Sequence, residues 1–318
     1  MKWNVNGWRR AACGAAVLAV TLLAGCGGGE QVHKFNASRV IVFGDESSLI
    51  DGSGAKYSVN AVVAGSAVLD CAANPIWVQT LASGYGLVFP QCNPRALPAP
   101  ASRIFAASGA HVADLAAQID QQVAVGGFTS TDLVTILIGA NDIIDQFALY
   151  PGVSETQLSA NLEQTAAILA TQVNRVADLG AKVLVSTVPD LGLTPFAGTP
   201  GGTNAVLLSH LSDKFNIEMR TRIYNDGRRI GLVQIDDYLR LVRNQGGAGV
   251  FVNMTDAVCA TSAPLPNCST LTLRTTNDAN NRVPSATLWL WADDRHLSAG
   301  GQARLGELAL SRAQNNPF

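Results

Sequence analysis

A doubly wound α/β domain, with a parallel sheet covered by helices on both faces, is the fold class this sequence predicts. Three observations predict it. Short continuous apolar runs rich in β-branched residues recur along the chain, helical patterns fall between them, and no internal repeat or charge block interrupts the alternation. With 47% hydrophobic and 14% charged residues, the chain can fill a large core and is no disordered polymer. A net charge of −2 offers no general attraction to nucleic acid.

The elements follow in order. Arg9 and Arg10 precede an apolar run over 11–24 that is too short for a usual membrane-spanning helix. Residues 1–25 therefore read as a signal peptide, 26–37 as a flexible tether and 38–318 as one domain. A first strand is expected at 39–43, stopping at Gly44-Asp45, and a helix at 112–123. A strand at 133–138 stops at Gly139. The long helix expected at 155–179 places Leu158, Leu162, Ala166, Leu169, Val173 and Val176 on one face. A strand at 182–188 stops at Pro189, a helix covers 205–224, a strand at 230–235 stops at Asp236, and a last helix covers 299–312. Such uninterrupted apolar strands suit a parallel sheet buried on both sides. The stretches 194–203 and 246–284 read as surface excursions.

Leu23-Ala24-Gly25-Cys26 resembles the lipobox of bacterial lipoproteins. The resemblance implies cleavage before Cys26 and lipidation of its sulfur. Gly27, rather than Asp, next to it implies sorting to the outer membrane. Cys13 leaves with the signal peptide, so Cys71, Cys92, Cys259 and Cys268 remain, an even number in an oxidising compartment. Three pairings are open. Cys71–Cys92 and Cys259–Cys268 are favoured because each closes one loop between elements. No cysteine pair has zinc-ligand spacing and His is scarce, so no metal is expected.

In open α/β sheets the chemistry sits at the carboxyl ends of the strands, and the unusual residues fall there. They are Gly44-Asp45-Glu46-Ser47-Ser48-Leu49-Ile50-Asp51, Ser108-Gly109-Ala110, Gly139-Ala140-Asn141-Asp142 and, before the last helix, Asp293-Asp294-Arg295-His296. Together these resemble the four blocks of the SGNH (GDSL) hydrolases, a family of serine esterases and lipases. The likeness runs from about Ser38 to Arg312. It implies a three-layer, flavodoxin-like α/β fold, and an active site without cofactor. His296 is then the base that activates a serine, Asp293 orients it, and Gly109 and Asn141 donate to the oxyanion.

One position departs from the family. The slot directly after Gly-Asp, where the family carries its serine, holds Glu46. Aligning Ser48-Leu49-Ile50-Asp51 with the family's Ser-Leu-x-Asp run selects Ser48 as nucleophile. The shortest insertion selects Ser47, and a site without a serine is the third possibility. The expected function is a lipid-anchored serine esterase or lipase acting on carboxylic esters, lipidic ones among them, through an acyl-enzyme. It is expected to be a monomer held at the outer membrane by Cys26, with no nucleic-acid partner. The alternative is a binding lipoprotein of the same fold that has lost catalysis.

Overall fold

Five parallel strands form the central sheet of the computed structural model, which describes residues 34–318; the expected signal peptide over 1–25, Cys26 and the first part of the expected tether lie outside them. In chain order the central strands are β1 (Arg39–Gly44), β4 (Arg103–Ile104), β5 (Asp132–Leu137), β6 (Lys182–Ser186) and β7 (Ile230–Val233). The order across the sheet is β4-β1-β5-β6-β7, which makes it flavodoxin-like, with a topological switch point between β1 and β5. Val40 to Gly44 pair with Leu133 to Leu137 in unbroken register, so both strands end level. The four strands expected from the sequence are β1, β5, β6 and β7. Edge strand β4 has two residues, too few to show a period.

Alternate residues of these strands face opposite sides. Ile41, Phe43, Val134 and Ile136 pack on one side against α2 (Leu115–Ala124), α3 (Ala140–Phe147), α4 (Glu155–Asp178) and α5 (Thr203–Arg222). Val40, Val42, Leu133 and Leu137 pack on the other against α1 (Trp77–Gly84), α6 (Ile235–Asn244) and α7 (Ala299–Asn315). Burying each such side chain is worth about 1.5–3 kcal/mol. The expected last central strand overshoots. It ends at Val233, and Ile235 and Asp236 begin α6, whose apolar stripe of Ile235, Leu239 and Val242 has helical spacing.

The segment 246–284 is more than a surface excursion. Its strand β8 (Asn253–Ala257) pairs in parallel with β9 (Trp289–Trp291). Val59, Val258, Cys259, Cys268, Trp289 and Ala292 then form a small separate core. Both favoured disulfides are present, Cys71–Cys92 with Cα atoms 5.7 Å apart and Cys259–Cys268 with Cα atoms 5.9 Å apart. The second braces the platform from which β9 leads into Asp293 and His296. A two-stranded hairpin, β2 (Ala61–Val62) with β3 (Leu69–Asp70), lies outside the central sheet. Among the described residues no helix is long and apolar enough to cross a membrane.

Candidate active site

Two glycines set the geometry at the switch point. Gly44 ends β1 at φ +139°, where a Cβ would strike the Leu137 carbonyl of β5. Gln118 of α2 clamps that residue, accepting from Gly44 N at 2.8 Å and donating to its carbonyl at 2.9 Å. Gly139 follows β5 at φ +123°, where a Cβ would meet the Phe215 ring. Only glycine lets both chains turn here while staying this close.

Beyond Gly44, the Asp45 carboxylate accepts from Ser47 N at 2.9 Å and caps a 3-10 turn over Glu46–Ser48. Successive side chains on such a turn point roughly 120° apart. The one that faces the site is Glu46. Its Oε2 accepts from Gly109 N at 2.8 Å and from Asn141 Nδ2 at 3.2 Å. Its Oε1 lies 3.2 Å from His296 Nε2. On the far side of the ring, Nδ1 lies 2.8 Å from Asp293 Oδ2, while Asp293 Oδ1 accepts from His296 N at 2.7 Å. The order is thus Asp293–His296–Glu46, ending on the Gly109 and Asn141 donors.

Each donor is held from behind. Asn141 also donates to the Ala110 carbonyl at 3.1 Å, and Asp142 accepts from Val112 N at 3.1 Å, so the start of α3 is tied to the Gly109 loop. The Asp293–His296 turn is closed by Ala292 N donating to the His296 carbonyl at 2.7 Å. Ser298 caps α7 directly after it. The Tyr57 ring lies 5.9 Å from the His296 ring, and its hydroxyl is 2.8 Å from Ser108 Oγ.

Ser48, the expected nucleophile, is not brought to His296. It is 0% exposed, and its Oγ accepts from the Trp77 indole at 3.1 Å. The reason is the short turn itself. Nothing loops out after Asp45, so Glu46 keeps the position directly after Gly-Asp and Ser48 points back into the core against α1. Ser47 is half-buried and lines the same pocket, yet both ring nitrogens of His296 are taken by carboxylates. The structure does bring together Asp293, His296, Gly109 and Asn141. Glu46, which the sequence reading marked as the occupant of the serine slot but gave no role, is the side chain that meets His296.

Ionisation follows from this packing. Burial opposes charge on His296, but hydrogen bonds to Asp293 and Glu46, together with their charges, raise its pKa to about 9. Burial likewise opposes ionisation of Glu46, and bonds from His296 and from backbone N–H groups, Gly109's among them, outweigh it, holding the pKa at about 2. At neutral pH the centre is an imidazolium between two carboxylates. Asp45 behind it is raised to about 7, by burial and then by the Glu46 charge. The pocket here, walled by Leu137, Pro189 and Leu191, keeps about 20 Å³ of free space, room for one water. A larger cavity of about 590 Å³ lies between α1 and residues 84–95 and contains none of the converging groups.

Strand ends that bring together a carboxylate-backed histidine and paired N–H donors define a class, a hydrolase built on a flavodoxin-like α/β sheet. The chain belongs to the GDSL-like Lipase/Acylhydrolase family, whose sequence profile matches residues 40–309, and ester hydrolysis on the serine-hydrolase scaffold is the reaction class this membership assigns. No curated sequence matches the chain. Among solved structures, a lipase from a goat rumen metagenome is similar at TM-score 0.50 and 12% identity, covering 88% of this chain and 99% of that one. The acetylxylan esterase Axe2 of Geobacillus stearothermophilus is similar at TM-score 0.45 and 15% identity, covering 90% and 98%. An extracellular lipase of Streptomyces rimosus reaches TM-score 0.42 at 19% identity, covering 88% and 100%.

Proposed function

We propose that this chain is a monomeric, lipid-anchored hydrolase of carboxylic esters in a bacterial cell envelope, held to the outer membrane through Cys26. One observation carries the ester reading. Gly109 N–H, Asn141 Nδ2 and His296 Nε2 converge on a single carboxylate, the group that ester hydrolysis produces and whose charge its transition state shares. The Leu23-Ala24-Gly25-Cys26 run supports the anchor. An anchored site works beside a lipid surface, which favours hydrophobic esters. The purified mature protein should hydrolyse members of a p-nitrophenyl acyl series, and His296→Ala should abolish that turnover. A folded protein inert on every chain length would sink the reading.

A second reading, a binding lipoprotein without turnover, is favoured by one observation. The Glu46 carboxylate already fills the donors that an ester carbonyl needs. The same acyl series decides between the two.

A further inference from the structure

Resting on the ester reading, we infer that water rather than a serine attacks the ester in this chain, with the Glu46 carboxylate as its general base and the protonated His296 as the general acid. Four observations lead there. Glu46 follows Gly44-Asp45 directly and meets His296 Nε2 at 3.2 Å, the contact a nucleophilic serine would make. Ser48 is turned away and bonded to Trp77, and no hydroxyl among the described residues bonds a His296 ring nitrogen. An imidazolium flanked by two carboxylates has no lone pair with which to activate a serine. The space left beside the pair is that of one water.

The step balances as follows. The ester carbonyl oxygen takes the place of Glu46 Oε2 on Gly109 N–H and Asn141 Nδ2. Released from those bonds but still in a buried site, the Glu46 carboxylate becomes a stronger base. It takes one proton from water as the water oxygen bonds to the acyl carbon, and the carbonyl π pair moves onto the oxygen held by the two donors. Collapse re-forms the carbonyl and breaks the bond to the alcohol oxygen, which takes the Nε2 proton of His296. The products are one carboxylic acid and one alcohol. Glu46, now protonated, then returns its proton across the contact to His296, and both groups recover their starting charges.

The test is steady-state and pre-steady-state hydrolysis of p-nitrophenyl esters by the mature protein, with a fluorophosphonate probe and heavy-oxygen water. Wild type should turn over without a burst, remain unlabelled at Ser47 and Ser48, and leave no heavy oxygen in Glu46. E46Q should lose roughly 10²–10⁴-fold in turnover rate, while E46S should acquire both a burst and probe labelling at position 46. The wild-type labelling result needs no variant, so it holds even if E46Q folds poorly. Labelling at Ser47 or Ser48, heavy oxygen in Glu46, or full activity in folded E46Q would each overturn the inference while leaving the ester hydrolase intact. Turnover in E46S with none in wild type would make Glu46 a plug and overturn it too. Inactivity of both would instead bring down the ester reading itself.

Discussion

Asn141 is the residue whose two bonds separate its roles. One goes to the Ala110 carbonyl and holds the loop; the other goes to the Glu46 carboxylate, where an oxyanion would sit. Losing a donor that acts in the transition state typically costs roughly 10²–10³ in turnover with little change in KM. Asn141→Ala should show that split on the best p-nitrophenyl ester and keep its circular dichroism; full activity would leave Asn141 a turn residue only. His296 offers a spectroscopic reading. Its proton affinity is held up against burial by Asp293 and Glu46. Glu46→Gln removes one of those charges, so the imidazole titration followed by NMR should move down from about 9. A titration left in place would mean that Glu46 does not face the ring in solution.

At the scale of elements, the site depends on how two strand ends turn. Gly139 stands at φ +123° against the Phe215 ring, immediately before the helix that carries Asn141. Gly139→Ala adds a clash and a disfavoured backbone, on the order of 1–3 kcal/mol. Its melting temperature and esterase rate should fall together, and loss of neither would mean that the turn is slack. The disulfide Cys259–Cys268 closes a loop of sequence separation 9 beneath β9, and Cys71–Cys92 one of separation 21. Opening either should cost about 2–4 kcal/mol in chain entropy. Replacing Cys259 and Cys268 by Ser should also reduce activity, because the strand leading to Asp293 loses its brace. Urea denaturation of the double variant alongside its esterase rate measures both. Much at this scale was legible in the chain: strands β1, β5, β6 and β7, and helices α4, α5 and α7 within about two or three residues at most ends. Helices α1, α3 and α6 were not: they are 8, 8 and 10 residues long, and α3 and α6 run on almost directly from the ends of β5 and β7.

The cluster around His296 makes the stability of the whole molecule depend on pH. His296 rises on folding from 6.5 to about 9, so its contribution to stability is complete below 6.5 and is lost as pH climbs through 9. Glu46 falls from 4.5 to about 2, so its contribution is complete above 4.5 and is lost as pH drops through 2. Asp45 works the other way, rising from 3.8 to about 7 and losing its stabilisation between those values as pH climbs. Melting temperature should therefore decline between pH 7 and 9. In His296→Ala that alkaline decline should flatten, and an unchanged slope would place its origin elsewhere. The proposed attachment is likewise tested on the whole molecule. Wild type should partition into detergent with an acylated Cys26, and Cys26→Ser should release it or leave the precursor uncut. A soluble, unlipidated wild-type product would remove the anchor.

Patterns local in the chain were enough to determine the α/β class, the strand ends that carry the chemistry and the Asp293–His296 pair, and to favour, though not to fix, the disulfide pairing that the fold contains. Apolar runs, turn residues and a three-residue spacing act over short range, so they can be read without knowing what packs against what. Which side chain after Asp45 meets His296 is a different kind of question. It depends on the angle at which Gly44 leaves the sheet, on the tight 3-10 turn that Asp45 caps, and on the Trp77 indole that takes up the Ser48 hydroxyl. Those determinants come from β5, α1 and α2, elements distant in the chain. Only the folded molecule could decide that a carboxylate, and not a serine, stands between the histidine and the oxyanion donors.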